Sequence, residues 1–298
     1  MLRGYGFLIT LLGALWGSSY LFIKIGVGEL PPSVFTAART LIAGLLLTAI
    51  LVARVGPREA AAQLRRARVP VLVLAVLSNA FPYWMIAWGE QHVDSGTAAI
   101  ASSSVPIFTA LLALRFQRSQ RVSGFRLVGL VVGFAGVGVL VGASPTGWYA
   151  IAGSLAVVVA SVAYAAGGLY GGTQVGVVSG PVLAAGSVLV AGILLLPIAA
   201  AQVPARFPSW KVVGALAGLI LLGTVAAQLL LYTVLRLHGA SRMTLVTYLI
   251  PGFAVVYGAL ALSEPVRWPE IGGLALILVG VAIASGRLTP ALRRRPAE

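Results

Sequence analysis

Trp16-Gly17-Ser18-Ser19-Tyr20 and Ala160-Ser161-Val162-Ala163-Tyr164 fall into register when the chain is folded back on itself at about Tyr149, and Ser102 to Phe108 then lies over Thr247 to Phe253. The offset is 144 to 145 residues. The same shift sets Pro106 on Pro251, Gly129 on Gly273 and Gly136 on Gly280, while most other shared positions are merely apolar. This reads as an old internal duplication, and two related halves of an apolar chain are what a carrier needs if its substrate site lies between repeats that rock against each other.

The 298 residues are 59% hydrophobic and 9% charged, far outside the composition of soluble domains, which makes an integral membrane protein the expectation. A net charge of +14 in a soluble chain would point to nucleic acid. Here the arginines sit in short connectors between apolar runs, so they read as topology signals and nucleic acid is not an expected partner. No cysteine is present, which excludes disulfides, thiolate metal sites and a cysteine nucleophile. The first apolar run follows a single Arg3 and has no small-residue cleavage pattern behind it, so it reads as a retained span.

About 20 apolar residues cross the hydrocarbon layer. The runs that qualify are 5–26, 33–53, 69–89, 95–114, 122–141, 148–169, 181–200, 211–235, 241–261 and 268–286, which predicts an all-α protein of ten transmembrane helices. With both termini in the cytoplasm, 16 of the 21 basic residues fall on the inner side, among them Arg54, Arg58, Arg65, Arg66 and Arg68. Glu29, Glu90, Asp94, Glu264 and Glu270 fall on the outer side, and Trp88, Trp148, Trp210 and Trp268 mark the outer ends of their spans as interfacial anchors. Five spans per half is an odd number. The second half therefore enters the membrane the other way up, which gives an inverted five-plus-five repeat, residues 1–146 and 147–298, around a central cavity.

The stretch Leu11-Leu12-Gly13-Ala14-Leu15-Trp16-Gly17-Ser18-Ser19-Tyr20 resembles the first-helix signature of the EamA family in the drug/metabolite transporter superfamily. Leu262-Ser263-Glu264-Pro265, followed by Gly272-Gly273-Leu274-Ala275-Leu276-Ile277-Leu278-Val279-Gly280-Val281, resembles its end. The resemblance covers essentially the whole chain and implies a multi-pass metabolite exporter of the bacterial inner membrane. More narrowly the chain is similar to YddG-type exporters of aromatic and other neutral amino acids. Efflux of drugs, sugars or nucleotide sugars on the same fold is the alternative. One departure stands out: where family members often keep a glutamate after span four, this chain has Gln117, Arg118, Ser119 and Gln120.

Polar side chains inside spans should face a watery cavity or a neighbouring helix, because an unpaired polar group in hydrocarbon costs several kcal/mol. Taken in pairs across the repeat, the candidate cavity residues are Trp16, Tyr20, Asn79, Tyr83, Ser103, Tyr164, Gln228 and Tyr248, with Thr224 the repeat partner of Asn79. Each also has a plain packing role open to it, and the clustering is what favours a cavity. Aromatic walls with neutral amides suit small zwitterions of varied side chain. Lys24 and Arg39 are the candidate charge sites: Lys24 is expected to reach for the outer headgroups, and Arg39, about two turns into span two, to attract a carboxylate or pair with Glu29.

No Asp or Glu falls inside a predicted span, so transport is expected to be facilitative. Pro82, Pro106 and Pro251 are the candidate hinges, the last two repeat-equivalent. Gly129, Gly133, Gly136, Gly272, Gly273 and Gly280 give spans five and ten small faces for close packing or for a dimer, with the monomer expected. An enzyme is not expected: His92 and His238 sit in connectors and there is no HExxH motif, so no catalytic residue, metal site or cofactor is assigned. A passive pore is disfavoured because no ring of like residues appears. The partners left are a small-molecule substrate and the lipid bilayer.

Overall fold

The computed structural model describes residues 2–116, 124–142, 147–238 and 246–284. Among them every regular element is helical. The helices are α1 (Leu2–Gly26), α2 (Pro32–Val55), α3 (Pro57–Arg66), α4 (Arg68–Leu74), α5 (Phe81–Gly89), α6 (Ser95–Ser102), α7 (Val105–Phe116), α8 (Gly124–Gly142), α9 (Trp148–Gln174), α10 (Gly180–Ala200), α11 (Trp210–Gly218), α12 (Ala227–His238), α13 (Val246–Leu262) and α14 (Trp268–Ala284). Two π-helical turns, Ala75–Ala80 and Leu219–Ala226, join α4 to α5 and α11 to α12 without ending the helix. Seven helical stretches are long and apolar enough to cross a membrane. The other three expected spans are shorter apolar helices, Leu127–Gly142, Val246–Leu262 and Trp268–Ile283, each bordering residues outside the described set.

Helix pairing follows small residues. Gly44 of α2 lies against the backbone of Leu189 on α10, and Gly192 of α10 lies against the backbone of Leu41 on α2. Leu41 and Leu189 stand 148 residues apart, as do Gly44 and Gly192, so one crossing is made twice from opposite sides. The α8–α14 pair repeats the pattern. A Cβ on Gly136 would meet Ile277 N at 2.7 Å and Gly273 O at 2.8 Å, and one on Gly280 would meet the backbone of Gly133 and Gly129. These are the glycines that the repeat aligns, and they are spent on packing within the chain. Gly272, expected on the same small face, has open space beside it instead.

The two π turns are also related by the repeat. Each contains a polar side chain, Asn79 or Thr224, that donates back to a carbonyl five residues earlier: Asn79 Nδ2 to Leu74 O at 3.1 Å and Thr224 Oγ1 to Leu219 O at 3.0 Å. A wide turn frees backbone groups from the i−4 ladder, and such turns recur where a helix must present side chains to a site.

The three candidate hinge prolines sit in different settings. Pro106 follows a real break, because α6 ends at Ser102 and α7 begins at Val105, whereas Pro251 lies inside the continuous α13 and Pro82 opens α5 just after a π turn. The repeat-equivalent prolines Pro106 and Pro251 therefore stand at unlike places in their helices, one just after a break and one within a continuous helix.

Close helix crossing makes a size prediction. Gly280→Ala should lower the thermal midpoint of the detergent-solubilised protein, at a cost of about 1–3 kcal/mol from overpacking against backbone. Gly272→Ala, with open space around it inside a helix, should leave the midpoint unlowered or raise it slightly.

Candidate functional site

A cavity of ≈ 1210 Å³ occupies the interior of the bundle. Its mouth lies where α2 and α9 finish and α10 begins, at Arg54, Val175, Gly176, Val178 and Pro181, and its far wall includes Ile23 and Ile86. Tyr20, Tyr83 and Tyr164 stand on the wall between, with Trp16 and Gln228 beside them. Tyr83 and Tyr164 meet edge to face at 6.3 Å between ring centres, a favoured aromatic geometry that ties α5 to α9.

Arg39 is 5% exposed and lines this cavity. Its guanidinium lies 3.8 Å from the centre of the Tyr83 ring, and its Nε donates to Thr224 Oγ1 at 3.0 Å. Among the described residues no carboxylate pairs with it. Stacking and one hydrogen bond hold the planar group while leaving its terminal nitrogens for a ligand. Across the repeat, Asn79 Nδ2 donates to Ser187 Oγ at 3.1 Å. Ser187 stands 148 residues after Arg39 and Thr224 145 after Asn79, so the two contacts occupy related places. The scaffold is matched while the chemistry is not, because one side bears a fixed cation and the other a neutral hydroxyl.

Of the residues singled out from the sequence, Trp16, Tyr20, Asn79, Tyr83, Tyr164, Gln228 and Arg39 border the cavity. Ser103 does not: it is buried and donates to Ala99 O, and the cavity is lined by Ser102 instead. Tyr248 packs against the apolar core while its neighbour Thr247 lines the cavity. In both cases one position along a helix turns the side chain by about 100°. Tyr232 on α12 is a lining aromatic that the repeat comparison passed over. Gln228 Oε1 is buried without a hydrogen-bond partner.

Three expectations about charge are corrected. Glu29 does not pair with Arg39; it accepts from Ser209 N at 2.7 Å and Ser209 Oγ at 2.6 Å, and these bonds hold its carboxyl below the usual carboxylate range. Lys24 does not reach for headgroups, because its Nζ donates to the carbonyls of Glu90 at 2.8 Å and Val93 at 2.7 Å. Glu90, read as part of the outer connector after span three, has no exposed surface.

The end of the bundle opposite the mouth carries a set of polar clamps. Glu264 accepts from Ser95 N at 3.0 Å and Ser95 Oγ at 2.6 Å, so a carboxylate from the α13–α14 connector caps the start of α6. Glu270 accepts from Thr97 Oγ1 at 2.8 Å, and Arg267 bridges Asp94 at 3.1 Å and Glu270 at 3.2 Å. Negative charge at a helix N-terminus is favourable both for its dipole and for its unpaired N–H groups. The counterpart of Glu264 in the first half falls at residues 117–120, which lie outside the described residues.

Comparison with known proteins agrees with this architecture. The sequence matches the EamA-like transporter family over residues 4–142 and again over residues 151–286. It is 30% identical over 294 residues to the "Uncharacterized inner membrane transporter YedA" of Escherichia coli, covering 93% of this chain and 92% of that one. It is 29% identical over 298 residues to a "Probable terminal-alkyne amino-acid exporter" of Streptantibioticus cattleyicolor, covering 95% and 93%. A solved crystal structure superposes with a TM-score of 0.67 at 20% identity, covering 97% of this chain and 99% of that one, and so shares the fold.

The clamp makes a prediction. Glu264→Ala removes the charged cap on α6 and should destabilise the protein by about 2 kcal/mol, read as a lowered thermal midpoint in detergent. Glu29→Ala, at an exposed carboxylate, should shift that midpoint much less.

Proposed function

The chain belongs to the EamA-like transporter family, and from that premise we propose that it exports amino acids, aromatic and other neutral ones, with related metabolites, across a bacterial inner membrane by alternating access. The observation that carries this reading is the cavity pairing of Arg39, held on Tyr83 and Thr224 with no carboxylate of its own, with the unpaired Gln228 Oε1. A zwitterion meets both needs. Its carboxylate sits on Arg39, its ammonium donates to the Gln228 amide oxygen, and its side chain packs among Trp16, Tyr20, Tyr83 and Tyr164. Aromatic walls accept side chains of varied shape, which supports broad specificity. The name of the Streptantibioticus relative is in keeping with amino-acid cargo.

Residues 1–146 and 147–298 act as inverted five-helix repeats. Support comes from the two family matches, the reciprocal Gly44 and Gly192 crossings and the paired π turns. Arg54, Arg58, Arg65, Arg66 and Arg68 gather at the cavity mouth end, which supports placing that end and both termini in the cytoplasm. The state described is then open inward and sealed outward by the Glu264, Glu270 and Arg267 clamps. The described cavity lining contains no Asp or Glu, which supports facilitative transport driven by the cargo gradient. Because α8 and α14 spend their glycine faces on each other, the monomer is the working unit.

Counterflow in liposomes tests the reading. Vesicles loaded with unlabelled phenylalanine should accelerate and saturate the uptake of labelled phenylalanine. Arg39→Gln should raise the half-saturating concentration by about 10- to 100-fold, the worth of a lost charged hydrogen bond. Flux that neither saturates nor responds to internal substrate would refute a carrier, and an Arg39→Gln protein with unchanged affinity would refute the carboxylate site.

A further inference from the structure

Glu90 has both carboxylate oxygens buried and without a hydrogen-bond partner. It follows α5 directly, and α5 is held firmly there, because a Cβ on Gly89 would meet Gly153 O of α9 at 2.8 Å. None of the charged and titratable groups around it makes a side-chain hydrogen bond to its carboxylate. From α1, Lys24 spends its ammonium on the main-chain carbonyls of Glu90 and Val93. From α2, Arg39 is stacked on Tyr83 and bonded to Thr224. From the α13–α14 connector and α14, Glu264 is bonded to Ser95, and Asp94, Arg267 and Glu270 bond one another. The ring of His92 lies between Trp88 and Tyr149 of α9, and Tyr20 of α1 completes the shell.

An ionised carboxylate buried this way is costly even with Lys24 beside it, and a proton removes the cost. We propose that Glu90 is a proton-binding site that locks the sealed end of the cavity: the neutral acid stays folded into the seal, and its ionisation opens that end. Burial pushes its carboxyl well above the usual carboxylate range, against the lowering pull of Lys24. The sign follows. Protonation favours the seal, so the seal is firm in acid and weakens as pH rises from the ordinary carboxylate range toward the raised value.

The proton balance makes this a gate and not a drive. Ile86, one turn before Glu90, faces the cavity, whereas Glu90 has no surface toward it. The proton therefore leaves to bulk water on the sealed side when that end opens and returns from the same side when it closes. None crosses the membrane. The inference rests on the alternately opening cavity of the proposed function and is independent of the cargo.

The chain has no cysteine, so Ala98→Cys places a lone thiol in α6 at a position with no exposed surface, and Val266→Cys on the adjoining connector provides an exposed reference. In liposomes, labelling by a membrane-impermeant maleimide is measured at both and expressed as a ratio, and the same ratio in Glu90→Gln accounts for the pH dependence of the buried thiol itself. Between about pH 6 and about pH 9 the ratio should rise about tenfold or more with Glu90 in place. Glu90→Gln, a permanent stand-in for the neutral acid, should stay low and flat, and Glu90→Asp should restore the rise. A flat ratio with Glu90 intact, or an equal rise in Glu90→Gln, overturns the gate. The readout needs no substrate, so normal counterflow with a flat ratio defeats the gate alone, whereas absent counterflow with a normal rise defeats the cargo reading alone.

Discussion

A guanidinium inside an apolar bundle must be met by something, and in this protein Arg39 is met by an aromatic face and a single hydroxyl. That arrangement fixes much around it. Thr224 can receive Arg39 because it sits in a π turn, where its own hydroxyl is satisfied by Leu219 O while its lone pairs face α2. Tyr83 can lie beneath the guanidinium because the matching π turn precedes it on the same span. Neutral contacts at Asn79 and Ser187 complete the related place in the other half. The result is a cavity with one buried cation in its interior, Arg39, a second arginine, Arg54, at its mouth, and no acid among its described lining.

The packing explains how such a cavity stays open to one end. Crossings built on Gly44 with Gly192, and on Gly136 with Gly280, bring backbones close without large side chains, which suits helices that have no hydrophobic drive to associate within lipid. The sealed end uses the opposite strategy. There Glu264 of the α13–α14 connector and Glu270 of α14 cap and clamp the start of α6, and charge-assisted hydrogen bonds hold the starts of α6 and α14 together. A clamp made of ionisable groups can be released by hydration, whereas a glycine seam cannot. In the proposed alternating-access cycle, movement is concentrated at the ends and the seams act as bearings.

Much of this architecture was legible in the sequence because periodic features survive translation into space. The repeat offset identified Thr224 and Gln228 from Asn79 and Tyr83, and it aligned the glycines that pack α8 on α14. What the sequence hid was contact between distant elements. Arg39 was foreseen as a charge, yet its partner Thr224 lies 185 positions away and no local pattern links them. Ser103 and Tyr248 were each one residue from the lining position, a difference that hydropathy does not resolve. Glu90 and Lys24 were misread for a shared reason: a charge next to a span boundary looks exposed along the chain, while the folded connector tucks back under the bundle.

The central claim is that one cavity opens at one end or the other but not at both. Paired spin labels test this most directly, one pair at Val55 and Val177 beside the mouth and one at Gln91 and Val266 across the sealed end, with distances measured before and after saturation with phenylalanine. The account predicts that each pair samples two distances and that substrate shifts them in opposite senses, the mouth pair closing as the sealed pair parts. A single unchanging distance for both pairs, or a shift in which both widen together, would contradict it.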